Sequence, residues 1–241
     1  MFIVIENRSL DQARVLVCLA NSRKQSGRCV AGKLLDGSGR WIRPISAREN
    51  HEVSLDERRY DNGEEPALRD VVNLCVVEHR AHTYQGENWL LDDRYYWTKA
   101  GRLKWKQLVA LEDAPDRLWI NGQHTLHGHN DQIALEQTNQ LANSLRLIRV
   151  PEFVIRVFRP GAKYGDNKRK VQGKFKYLGT SYHLRVTDPL IEKKFLALGD
   201  GAYTLPTSYL TISLGDPHHG KAYKLIAAVM TMPGGEVFDD V

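Results

Sequence analysis

The chain has 241 residues, of which 42% are hydrophobic, 9% aromatic and 26% charged, with 19 Gly, 9 Pro and 3 Cys. That composition excludes a disordered chain, a collagen-like repeat and a disulfide scaffold, and the length leaves room for one large domain or two small ones. The formal net charge of +5 is unevenly placed: residues 146–195 hold 13 Lys and Arg against 4 Asp and Glu, residues 1–145 hold 19 against 20, and residues 196–241 hold 2 against 5. Positive charge concentrated in one window points to a polyanionic partner such as nucleic acid.

The first residues, Met1 to Asn7, lack the charged region, long apolar stretch and small-residue cleavage site of a secretory signal. Arg14 to Ala20 then reads as a buried strand. Arg28 to Leu35 and Arg40 to Pro44 flank Asp36-Gly37, which is a hairpin signal. Asp70 to Glu78 gives a further strand. From Trp97 to Leu111 the spacing of Leu103, Leu108 and Leu111 suggests one face of a helix, and residues 112–131 have the polar, Gly- and His-rich composition of a long connection. Asp131 to Arg146 is the best helical segment, with Ile133, Leu135, Leu141 and Leu145 among Gln, Asn and Glu.

After it the pattern returns to strands: Leu147–Val150, Phe153–Phe158, Val171–Leu178 and Ser181–Thr187. Thr207–Leu214 and Tyr223–Met230 flank the turn from Gly215 to Gly220 as a last hairpin. Strands, a helical linker and strands again predict a mostly β protein with minor α: a domain over 1–130, a linker helix over 131–145 and a second domain over 146–241. Short strands at this spacing favour barrels or sandwiches. No apolar run approaches the roughly 20 residues that span a bilayer, so a soluble, cytoplasmic protein without a membrane partner is expected. Cys18, Cys29 and Cys75 form an odd set with no CxxC pair, each in an apolar run, and read as small buried hydrophobes.

Three blocks together resemble a known family. They are Cys18-Leu-Ala-Asn-Ser-Arg-Lys-Gln-Ser-Gly-Arg-Cys-Val-Ala-Gly32 with Arg40-Trp-Ile-Arg-Pro-Ile-Ser46, then Arg185-Val-Thr-Asp-Pro189, then Ser213-Leu-Gly-Asp-Pro217 with Ala222-Tyr-Lys-Leu-Ile-Ala227. As a set they are similar to the prokaryotic dual OB-containing domain family. The resemblance implies two OB-like β-barrels in one chain and nucleic-acid binding, often in a mobile-element or defence setting. It carries over no catalytic residue.

Two constellations suit a polyanion. Asn21, Ser22, Arg23, Lys24 and Arg28 offer hydroxyl, amide and cations where a buried strand ends, with Trp41 and Arg43 across the predicted hairpin. The bland reading there is a solvated turn beside a core Trp. The second set is Arg156, Lys168, Arg169, Lys170, Lys174, Lys176 and Arg185, interleaved with aromatics including Tyr182. Cations that track a backbone and aromatics that stack on bases are what single-strand binders combine. Alternation assigns Phe175 and Tyr177 to the core instead.

A third cluster, His127, His129 and Asp131, has the spacing of a metallo-hydrolase motif, with a surface loop as the competing reading and Asp131 as a helix cap. Phosphate loops and the GxSxG elbow are absent, and no cofactor is implied. The sequence therefore predicts a binder of single-stranded DNA or of single-stranded or structured RNA. A metal-dependent nuclease at His127, His129 and Asp131 is the alternative, and an adaptor that docks an acidic partner such as a nuclease or helicase is the third reading.

Overall fold

The computed structural model describes residues 12–232, so the Met1–Asn7 segment read above lies outside the described residues. The chain divides into two compact units. One holds the described part of Met1–His82 together with Glu87–Leu103; the other holds Thr83–Gly86 and the described part of Lys104–Val241. No helix among the described residues is long and apolar enough to cross a membrane.

In the first unit, β1 (Ala13–Lys24) turns at Gln25-Ser26 into β2 (Gly27–Leu34), with Gln25 in the left-handed region at φ 47°. β3 (Trp41–Ile45) pairs antiparallel with β2 and parallel with β5 (Asn88–Leu91). β5 pairs with β4 (Asp70–His79), and β4 returns to the first half of β1, from Ala13↔Cys75 to Val17↔Val71. The order β1-β2-β3-β5-β4-β1 closes a five-stranded ring, and β6 (Thr98–Arg102) extends it beyond β4. The ring encloses Leu16, Cys18, Val30, Ile42, Leu74 and Trp97. Between β3 and β4 lies the short helix α1 (Leu55–Arg58), held by reciprocal bonds between Ser54 and Glu57 that satisfy amides at its first turn.

The second unit repeats this plan. β8 (Leu145–Val150) and β9 (Phe153–Phe158) are two halves of one strand, broken at Pro151-Glu152, where proline has no N–H to offer a ladder. β9 pairs with β10 (Lys170–Tyr177), β10 with β11 (Thr180–Val186), and β11 runs parallel to β14 (Lys221–Thr231). β14 pairs with β13 (Ser208–Leu214), and β13 returns to β8. The path therefore also closes on its own first strand. β12 (Gly201–Leu205) adds to β9, and β7 (Gln132–Ala134) to β14. A helix again follows the third strand of the ring: α2 (Pro189–Leu198), whose first amides, Leu190 and Ile191, donate to Asp188 Oδ1 while Pro189 occupies the first helical position. Two five-stranded rings with the same order, the same parallel closure and a helix at the same place are OB-like barrels.

Three sequence expectations are corrected. Residues 131–145 form no linker helix: Gln132–Ala134 pair with Tyr223–Lys221 of β14, and Leu135–Gln140 make only a 3-10 turn. A free sheet edge takes the backbone bonds that the helix pattern would have used. The division falls not at residue 130 but between Leu103 and Lys104, so the long polar connection belongs to the second unit, as do Thr83–Gly86. There the Tyr84 hydroxyl donates to Gly215 O and Gln85 Nε2 to Asp216 Oδ1. The Trp97–Leu111 segment is strand β6 followed by a 3-10 turn from Trp105 to Leu111, not an α-helix.

Candidate nucleic-acid interface

Successive residues of a strand face opposite ways, and β9, β10 and β11 sort their side chains cleanly. Phe153, Ile155, Val157, Val171, Phe175, Tyr177, Leu184 and Val186 are in the core. Arg156, Lys174, Lys176 and Arg185 take the alternate positions and stay at least partly exposed. The register sets Gln172 opposite both Arg156 and Arg185, and Lys174 opposite His183, so these cations form one strip across three strands. None of the four makes an ion pair with a described carboxylate. The Arg156 guanidinium lies 4.2 Å from the centre of the Phe158 ring. A shallow depression of about 380 Å³ beside it is lined by Arg156, Phe158, Lys174 and Asp200.

The connection from β9 to β10 adds Lys168 and Arg169, both exposed, Lys170 at the strand start, and Tyr164, which is 84% exposed. Arg169 is partly neutralised, because it shares Asp200 with Arg159 at 3.0 Å each. Tyr182 is not at this surface. It is fully buried, stacked on Phe175 at 5.4 Å, and its hydroxyl accepts from Asn121 Nδ2 at 2.9 Å. Its odd register relative to His183 forces it inward.

In the first unit the β1–β2 hairpin presents Arg23 exposed, with Lys24 and Arg28 half-buried and Arg23 directly opposite Arg28. Asn21 Nδ2 donates to Pro66 O at 2.9 Å. Ser22 is buried against Cys29 O, so its hydroxyl is not offered to a ligand. Arg43 is likewise interior: it pairs with Glu87 at 3.0 Å and Asn88 Oδ1 at 3.2 Å, a structural cation rather than a surface one. Trp41 is partly buried, 5.5 Å under the Lys33 ammonium. The β2–β3 strands of this barrel thus offer less open surface than the β10–β11 strands of the other.

His127, His129 and Asp131 do not converge, and no group of three potential ligands fit to hold a metal exists among the described residues. Nor does Asp131 cap a helix; its carboxylate is spent on Thr125, accepting from N at 2.8 Å and from Oγ1 at 2.5 Å. The imidazoles have other neighbours. His129 and His183 exchange backbone bonds at 3.2 and 3.0 Å, their rings lie 5.5 Å apart, and His124 stacks on His129 at 4.4 Å. The His127 ring meets the edge of Phe158 at 5.6 Å. Burial, followed by Lys174, His129 and Arg156, pushes His183 below its usual value and so favours the uncharged imidazole. The sequence placed these histidines in a loop but contained no signal that β11 would receive them.

The geometry agrees with the one comparison that matches. Residues 14–229 match the Dual OB-containing domain, a span that takes in both barrels. No match to the chain is found among curated proteins or among solved structures. The chain belongs to the Dual OB-containing domain family.

Proposed function

We propose that the protein binds single-stranded nucleic acid on the outer face of β9, β10 and β11 in the second barrel. The observation that carries this reading is the strip Arg156, Lys174, Lys176 and Arg185, cations with no carboxylate partner among the described residues, on the first three strands of an OB-like ring. In OB-folds that face, with the loop joining the first two strands, is where oligonucleotides bind. Here that loop is the stretch bearing Lys168, Arg169 and Lys170. The hairpin with Arg23, Lys24 and Arg28 is the same loop in the first barrel and is a second place for phosphate contacts. Recognition by backbone charge and exposed bases suits a single strand, because the described residues include no recognition helix for a duplex groove.

The test is fluorescence anisotropy of a labelled oligonucleotide across a salt series. Each phosphate neutralised on a single strand steepens the downward slope of log K against log salt by about 0.7. Lys174→Glu with Lys176→Glu should weaken binding at least roughly tenfold and lower that slope by about 1.4. Absence of binding at low salt, or a slope indifferent to the double variant, would end the proposal.

A further inference from the structure

The loop from Asn121 to Asp131 is held far more firmly than its polar sequence suggests. Asn130 Oδ1 accepts from Gly122 N at 2.7 Å, and its Nδ2 donates to Ser181 O at 3.0 Å. Gln172 Nε2 donates to His127 O at 2.7 Å. The paired backbones of His129 and His183 fasten the loop to β11 on the stretch that β14 does not reach, since β14 pairs only at Arg185 and Val186. The loop is therefore pinned to both β10 and β11, alongside the cation strip.

This anchored loop presents unusual side chains to solvent. Leu126 is 85% exposed, the most exposed large apolar residue among those described. His124 is exposed at the open end of the ring ladder His183–His129–His124. The Asn130 N–H donates to His124 Nδ1 at 2.8 Å, which fixes the ring's orientation and leaves its proton on Nε2. Two runs of contacts connect the loop to the cations: His124–His129–His183 leads to Lys174, and His127–Phe158 leads to Arg156. An aromatic face and an apolar knob on a rigid support lose little entropy when something docks on them.

From this arrangement we infer that the His124 ring and Leu126 form a platform for unstacked bases of a single-stranded polynucleotide whose phosphates lie on the Arg156–Lys174 strip. Charge complementarity selects the occupant: a chain that presents phosphates and flat apolar faces at short alternating intervals fits both halves of the surface. A duplex hides its base faces. Leu126 would act as the apolar wedges of nucleic-acid binders do, by lying against a base or between two. The inference rests on the proposed function and adds to it that base contact, and not charge alone, contributes to affinity.

The experiment compares a single-stranded oligonucleotide with an abasic phosphodiester chain of equal length and charge, for the full chain and for Leu126→Ala. Base stacking should make the oligonucleotide bind roughly 5- to 100-fold more tightly than the abasic chain. Leu126→Ala should lose a large part of that preference while its affinity for the abasic chain stays unchanged. Because the Leu126 side chain is in solvent, the substitution leaves the fold intact. As a second readout, Leu126→Trp should show added fluorescence quenched by the oligonucleotide and not by the abasic chain. Equal binding of both chains by the unaltered protein overturns the platform and leaves the proposed function standing. A preference that survives Leu126→Ala, with no quenching in Leu126→Trp, also overturns it by locating base contact elsewhere. Failure to bind either chain overturns both readings.

Discussion

Lys224 is a cation in the interior of the second barrel, and its removal should leave a signature in the pH dependence of stability. The residue is 1% exposed; its ammonium donates to Ile120 O at 2.7 Å and Asn121 Oδ1 at 2.9 Å and lies 5.4 Å from the centre of the Tyr182 ring. Burial lowers its pKa to about 7, with Asp131 opposing only in part. In the unfolded chain a lysine titrates near 10.4. Between those values the unfolded state binds the additional proton, so stability rises with pH across that window. From pH 7 to pH 9 the linkage amounts to about 2 kcal/mol.

Lys224→Met keeps the length and removes the titration. It also leaves two buried oxygens without this donor, a pH-independent loss of about 1–3 kcal/mol for each. The assay is urea unfolding of both proteins at pH 7, 8 and 9. The gap in stability between wild type and variant should widen by about 2 kcal/mol in favour of wild type from pH 7 to pH 9. Parallel pH curves would refute the reasoning, because they would mean Lys224 keeps an ordinary pKa in the folded state.

Two further predictions concern the barrels. A Cβ at Gly173 would press on Ile226 Cδ1 and approach Phe153 Cε2 to 2.5 Å, so Gly173→Ala should cost about 1–3 kcal/mol, measured as a lowered Tm. Gly32→Ala in the first barrel should cost more, since there the new carbon meets the Val17 backbone carbonyl, which cannot swing aside as a side chain can; a smaller loss than at Gly173 would contradict this. Arg43→Ala should destabilise by about 3–5 kcal/mol because it removes one partner of the buried Arg43–Glu87 ion pair. Arg40→Ala, which breaks only the solvent-exposed pair with Asp36, should cost less than about 1 kcal/mol in the same urea titration.

The strands were legible wherever their pattern was local. The alternation Phe153–Phe158 and the hairpin residues on both sides of Asp36-Gly37 carry their own register, and Phe175 and Tyr177 face the core as alternation requires. The Arg185–Pro189 block reads as a turn at the end of a strand, and it is also the start of α2: Asp188 caps the helix, and its second oxygen accepts from Val229 N across the barrel. That last bond joins residues 41 apart and has no local trace. Residues 131–145 misled for the same reason. Their apolar spacing suits a helix, but the edge of β14, some ninety residues on in the chain, decides the outcome. The candidate site was legible as charge and not as position. Composition located the cations in one window, while burial removed Ser22, Arg43 and Tyr182 from solvent through partners the sequence does not announce.

Each ring is sealed by a parallel pair of strands, and these seams are short. In the first barrel the seam runs from Arg43↔Asn88 to Ile45↔Leu90; in the second it is Arg185↔Leu225 and Val186↔Ile226 alone. Ladders with so few rungs are where a closed sheet parts with least disruption of its backbone bonds, so transient opening of the second barrel is expected to begin between β11 and β14. The histidine loop lies on the next few residues of β11, bonded to Ser181 and His183. A ligand that clamps that loop to the cation strip would therefore slow the barrel's breathing as well as occupy its surface.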